Sequence, residues 1–438
     1  MFTPLVVMFL MMAQRLHGAQ PLEYAVMTLL RGLPPSFWPD PCERVRRWLE
    51  EGKGPSSHTA GYSQARQVLS KSVVEQSCDR MFDQLLTRTD PDGTAGEPGR
   101  FFILDGSSVR TAHSDALCEL YPPGSNQHGE AHWPVLRMLV AHELRTGLAL
   151  RPEWGPMYGD NPVSEQDLLH RMIDRLPAGS AIMGDCNFGI FSVVWAAQQR
   201  RYPVLLRLTP SRAARLAGGP LRDGIDRAVV WKPSTYESKK HPGLPSDAVV
   251  KGRLIVRRVQ PGDGSAPLLL SLFTTLDKPA GKLVEVYGGR WNIETDVRTI
   301  KKELCLDQLT CTTPEMVSKE IHMAVAAYNL VRAMIVLASL QSGIPPRRYS
   351  FTKVRLVLET FGPALANASD DKAAGQIFDQ MMRYIQQARL PDRGRKRPSY
   401  PRETWPRGSA FPKRKCKPPG PPEDPLEPNI NDTKNSPK

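Results

Sequence analysis

The stretch from Tyr287 through Gly288-Gly289-Arg290-Trp291-Asn292-Ile293-Glu294 to Lys301 leaves little freedom in its use, because a helix sorts its residues into two adjacent stripes. At about 100° of rotation per residue, Arg290, Glu294, Arg298 and Lys301 fall within roughly 80°, joined by Tyr287 if the helix reaches back that far. Ile293, Val297, Ile300 and Leu304 make a second stripe beside the first, the spacing that buries one side of an amphipathic helix. One carboxylate is therefore ringed by cations at the rim of a core. Taken alone, such a stripe is also what a solvated face with i,i+4 ion pairs looks like, for example Arg290 with Glu294. Gly288-Gly289 costs a helix about 1 kcal/mol per glycine relative to Ala, which allows Tyr287 to lie on a preceding turn.

Two aspartates elsewhere share a second pattern. Arg100-Phe101-Phe102-Ile103-Leu104-Asp105-Gly106 is an apolar run closed by Asp-Gly, which suits a buried strand stopped by a turn. Ala181-Ile182-Met183-Gly184-Asp185 repeats it, followed by a helical Phe188 to Arg200 and a strand from Val204 to Leu208. Ser108 to Thr111, Pro134 to Leu144 and Thr146 to Pro152 read as β-segments, antiparallel neighbours of the first run. Strands followed by crossover helices imply an α/β layer. Residues 209–272 turn β-rich and Gly/Pro-punctuated, with strands at Arg227 to Trp231 and Arg253 to Val259; an insertion here explains why Asp185 and Glu294 are 109 residues apart. By itself Asp105 is equally a turn residue. Asp185 is equally a turn or helix-cap residue.

The order Tyr-x2-Arg-x3-Glu-x6-Lys at Tyr287, Arg290, Glu294 and Lys301 resembles the signature of the DDE transposases of bacterial insertion sequences, specifically the insertion-sequence four family. Trp291 and Ile293 fit the same run, and the resemblance extends in order from about Thr3 to about Pro412. It implies an α/β fold with a ribonuclease H-like catalytic core, a β-rich insertion, a helical N-terminal region and a helical C-terminal region. The expected divisions are 1–95 (helical, DNA-end binding), 96–208 and 273–345 (core), 209–272 (insertion), 346–390 (C-terminal helices) and 391–438 (a basic, proline-rich, disordered tail). Asp105, Asp185 and Glu294 are the expected catalytic residues. Three such carboxylates can hold two Mg²⁺ ions, with Mn²⁺ able to substitute, because these ions favour hard oxygen ligands and retained waters. Arg290, Lys301 and Tyr287 would hold DNA phosphate near the cut, with Arg298 added from the same stripe. Trp231 falls where relatives place an aromatic that stacks on a flipped base, although a Trp on a β-strand is also an ordinary core residue.

Double-stranded DNA is the implied partner, at element ends and target. Cut-and-paste transposition, a hairpin intermediate, a homodimer and action in the bacterial cytoplasm, on the nucleoid, are implied with it. A net charge of +13 agrees with a polyanionic partner, and Arg389 to Lys417 holds eleven Lys or Arg against two acids. Seven scattered cysteines without a Cys-x2-Cys pair argue against a disulfide scaffold or zinc site. The apolar opening from Pro4 to Ala13 is too short to span a membrane, so a buried helix is expected there and no membrane partner. His128 and His132 have i,i+4 spacing but Gly129 between them and no third ligand, and are expected in a loop. The head before the core is shorter than in the sequences this one resembles. That keeps open a catalytically inactive DNA-binding derivative that inhibits transposition.

Overall fold

The apolar runs that end in Asp105 and Asp185 become neighbouring strands of one large mixed sheet. The computed structural model describes residues 2–31, 47, 50–52, 57–89, 99–127, 129–260 and 266–391. Among the described residues, helices come first: α1 (Pro4–Leu16), α2 (Leu22–Arg31), α3 (Ala60–Val68) and α4 (Lys71–Thr89). The sheet begins with β1 (Phe101–Arg110), and after α5 (Asp115–Leu120) come β2 (Pro123–Asn126), β3 (Gly129–Glu143) and β4 (Glu153–Pro156). Then α6 (Glu165–Met172), β5 (Ala181–Gly184), α7 (Phe191–Gln199) and β6 (Val204–Arg207) alternate. The following segment supplies α8 (Pro210–Ala217), β7 (Asp226–Trp231), α9 (Thr235–Lys240), β8 (Val250–Val259) and β9 (Leu268–Thr274). Helices close the described chain: α10 (Ala280–Gly288), α11 (Asn292–Glu303), α12 (Pro314–Ser342), α13 (Phe351–Ala366) and α14 (Asp371–Gln387).

The strand order is β2-β3-β1-β5-β6-β9-β8-β7, with β4 also on β3. β1, β5 and β6 are parallel, and all other pairings are antiparallel. The β-rich segment 209–272 thus extends the same sheet through β7, β8 and the start of β9. Alternation along β1 separates two cores. Phe102 and Leu104 face one with α6 and α7, while Phe101 and Ile103 face another with α10 and α11.

Several sequence expectations need correcting. Thr146 to Pro152 is not a strand: it makes only the isolated bridge of Ala149 to His142 before β4 begins at Glu153. β1 does not stop at Asp105-Gly106: it pairs with β3 without interruption from Phe102 to Arg110, and that ladder carries the chain straight through the dipeptide. Its pairing with β5 ends at Ile103, so Asp105 lies where the parallel ladder opens. His132 sits within β3 instead of a loop, its ring stacked on His113 at 4.5 Å; His128 lies outside the described residues.

α1 buries Val6, Val7, Leu10 and Met11, as its apolar pattern requires. Its Pro4 occupies the first turn and Thr3 caps it through Val6 N–H, both standard helix-start chemistry. α12 is long and apolar enough to cross a membrane by length and composition, yet most of it is buried among the other elements. It carries the packing of the N-terminal and C-terminal helices alike.

The core around α12 holds two buried histidines. Burial pushes His142 down to about 4 and His322 down to about 3. Both groups favour folding fully above the unfolded pKa near 6.5, and that contribution falls as acidification protonates the unfolded chain first. Lowering the pH from 7 to 5 is therefore expected to remove about 2 kcal/mol per histidine. Asp105, raised to about 6, takes up a proton in the folded state over the same range and offsets part of this loss. Urea midpoints across this range test it, and His322→Gln should lose clearly less stability on acidification than wild type.

Candidate active site

Register brings the two aspartates together. Ile103 pairs with Met183 in the parallel ladder, and Asp105 and Asp185 each stand two residues further on. Equal offsets beyond the paired stretch leave the two carboxylates near enough for Asp185 to raise the Asp105 pKa. Both share parity with residues facing α10 and α11, since Phe101, Ile103, Ala181 and Met183 pack there with Tyr287, Ile293 and Val297.

The local chain fixes each one. Asp105 Oδ1 accepts the N–H of Gly106 at 3.0 Å. Asp185 Oδ1 accepts the Asn187 N–H at 2.9 Å, an Asx turn that ends before α7 begins at Phe191. The turn needs Gly189, because a Cβ there would lie 2.1 Å from the Arg207 carbonyl oxygen. Burial pushes the Asp105 carboxyl up to about 6, reinforced by Glu165 and Asp185, with the Gly106 N–H and Arg290 opposing.

Glu165, unmarked by the sequence patterns, is a third carboxylate here. It lies over Gly106, where a Cβ would fall 1.9 Å from Glu165 Oε1, and it accepts Asn187 Nδ2 at 3.3 Å. Burial raises its pKa, as does Asp185.

The signature residues divide between elements. Tyr287 lies on α10, buried, its hydroxyl 3.4 Å from the Gly184 carbonyl oxygen beside Asp185. Burial raises its pKa, so the phenol stays protonated. Arg290 sits on the short turn Gly289–Trp291 that joins α10 to α11. It is buried, pairs with Glu294 Oε1 at 3.5 Å, and rests over the Trp291 ring at 4.9 Å. Arg290 also lowers the Asp105 carboxyl, so its charge acts on Asp105 as well as on Glu294. The Glu294 side chain is 48% exposed, on the open side of α11. Ile293, Val297 and Ile300 anchor the adjacent, inward side, each worth about 1.5–3 kcal/mol when fully buried. Lys301 donates to the Ser108 carbonyl at 2.8 Å, tying α11 to β1, and burial lowers its pKa. Arg298 is exposed on the same helix.

Trp231 is corrected by its surroundings. It is 4% exposed, closed in by Phe273 at 5.0 Å and Phe191 at 6.2 Å. Strand alternation on β7 turns Val229 and Trp231 inward and Val230 outward, so the ring fills the core and is not available to stack on a base. Exposed aromatics include Trp291, 64% exposed, beside Arg290, and Tyr236 on α9. Tyr236 borders a cavity of about 410 Å³ that opens beside Cys186 and Asn187 and is lined also by Arg212, Arg215, Lys240 and His241.

The donor set suits a hard divalent cation, since Asp105, Asp185 and Glu294 offer only oxygens and the half-buried Asp105 carboxylate lies among other carboxylates. Among the described residues no three His, Cys, Asp or Glu stand close enough to hold a metal.

Residues 96–330 match the Transposase DDE domain family. The chain is similar to transposase InsG of insertion sequence element IS4 from Escherichia coli strain K12, with 26% identity over 259 residues. That match covers 57% of this chain and 55% of the relative, so the chain spans about half the length of the curated protein it matches. Among solved structures it is similar to the piggyBac transposase synaptic complex with hairpin DNA, with a TM-score of 0.36 and 10% identity over 70% of this chain and 61% of that one. With the family match covering more than half of its length, the chain belongs to the DDE transposases, and its curated similarity is to the insertion-sequence four type.

Proposed function

We propose that this protein is a cut-and-paste DNA transposase that hydrolyses phosphodiesters at the ends of an insertion sequence and joins the freed 3′-hydroxyls to target DNA. The observation that carries the reading is the equal offset of Asp105, on β1, and Asp185, just past the end of β5, from the paired residues Ile103 and Met183, which pack against the helix that bears Glu294. The order β4-β3-β1-β5-β6, antiparallel up to β1 and parallel beyond it, supports a ribonuclease H-like core.

Asp105, Asp185 and Glu294 would hold the divalent cations, Mg²⁺ or Mn²⁺. When bound, a pair of such ions supplies charge stabilisation to both the attacking and the leaving oxygen of an in-line displacement at phosphorus. The chain's own groups do the rest. Arg290 releases Glu294 toward the aspartates and turns its charge to the scissile phosphate. Lys301, held by β1, and Arg298, free on the rim, contact the flanking backbone, which positions DNA without reading its sequence. Tyr287 keeps its proton and buttresses Gly184 next to Asp185. Arg212, Arg215 and Lys240 in the adjoining cavity extend the cationic track, and the basic segment after Pro391 adds phosphate contacts. Action as a homodimer on DNA in the bacterial cytoplasm belongs to the same reading.

The test uses the full chain and a duplex carrying the inverted repeats that flank its gene. Cleavage at the repeat boundary in Mg²⁺, leaving 3′-hydroxyls and abolished by EDTA, is the expected result. Binding without cleavage in either Mg²⁺ or Mn²⁺ would instead indicate an inactive derivative that occupies ends.

A further inference from the structure

We propose that Asp296 and Arg347 form a clamp that sets the rotation of α11 and so positions Glu294; this rests on the reading of Glu294 as a cation ligand. Asp296 lies two residues beyond Glu294, about 200° around the helix, on the inner side. It is 3% exposed. Arg347 Nη1 donates to both of its oxygens, at 2.7 and 2.8 Å, and Arg332 Nη2 reaches it at 3.4 Å. Arg347 Nη2 also donates to the Leu144 carbonyl at 3.3 Å. One guanidinium thus ties α11 to the loop after β3.

The partners come from separate elements: Arg332 from α12, Arg347 from the turn Pro346–Arg348 that follows it. Both lie beyond residue 330, where the family match ends. The clamp therefore makes the C-terminal region part of the catalytic geometry. Burial alone would raise the Asp296 carboxyl, but Arg332 and Arg347 hold it below the ordinary carboxylate range.

Stability alone does not account for the arrangement. A buried ion pair commonly contributes less than a well-packed apolar set of the same volume, and Ile293, Val297 and Ile300 already fasten α11 to the sheet. An apolar stripe permits small rotations and slides. A metal-binding carboxylate has to be held within about 0.5 Å and 10–20°. Arg347's contacts to both carboxylate oxygens and to a fixed backbone carbonyl supply that restraint.

The experiment is a double-mutant cycle on the full chain with Arg347→Met and Glu294→Gln, read by Mn²⁺ affinity from electron paramagnetic resonance and by thermal midpoint. Arg347→Met should weaken Mn²⁺ binding roughly tenfold, the low end of what removing a ligand's support costs. In the Glu294→Gln background the same change should have no further effect, because the clamp acts through that side chain. Where DNA cleavage is measurable, the Mg²⁺ concentration for half-maximal rate should rise by a similar factor. If Arg347→Met fails to fold, Arg347→Lys keeps the charge, loses the fork and gives the same comparison. A lowered midpoint with wild-type Mn²⁺ affinity overturns the clamp, as does a tenfold loss that persists in Glu294→Gln. Wild-type Mn²⁺ affinity in Glu294→Gln alone overturns the reading of Glu294 itself.

Discussion

Asp105→Asn and Asp185→Asn are each expected to lower DNA cleavage about 10⁴-fold while leaving duplex binding near wild type, because residues that act as one catalytic unit, as proposed for these, fail together. Glu294→Gln should do the same. The fold should not suffer. Burial and Glu165 hold Asp105 up to about 6, so above that pH its ionised form opposes folding in the metal-free protein. Asp105→Asn removes the charge at constant shape, and its thermal midpoint at pH 8 should equal or exceed that of wild type. A midpoint well below wild type would mean that Asp105 is a structural anchor of β1.

Trp231→Ala should cost about 3–5 kcal/mol, the range for emptying a large aromatic site in a core. Trp231→Leu should recover most of this, since an apolar chain can still pack against Phe191 and Phe273. DNA affinity and cleavage by Trp231→Leu should match wild type. Were the ring stacked on a base, its loss would weaken DNA binding by about 1–3 kcal/mol whatever the stability. Urea denaturation and binding to the same duplex separate the two.

The difference between what the chain reveals by itself and what folding adds follows from the range of the interactions. Apolar runs at Phe101 to Leu104 and Ala181 to Gly184 are local, and both form the expected strands. The apolar spacing of Ile293, Val297 and Ile300 gives the buried side of α11 in the same way. Asp-Gly was a poor stop signal because β3 offers β1 a partner along its whole length, and tertiary pairing outweighs turn preference. Trp231 could not be assigned from position, because its face is decided by the register of β7 on β8. Asp296 sits in the very motif that carries the resemblance, yet its partners Arg332 and Arg347 are 36 and 51 residues away, beyond any periodicity. Glu165 meets Asp105 only through the packing of α6 over Gly106.

The measurement that bears most directly on the carboxylate site is cleavage by Asp105→Cys in Mg²⁺ against Mn²⁺, at matched DNA occupancy. A thiolate is a poor ligand for hard Mg²⁺ and a more acceptable one for a transition-metal ion. If Asp105 ligates the ion that drives the reaction, the variant is silent in Mg²⁺ and recovers cleavage in Mn²⁺. Cleavage at the wild-type rate in Mg²⁺ would remove Asp105 from the site and contradict the account.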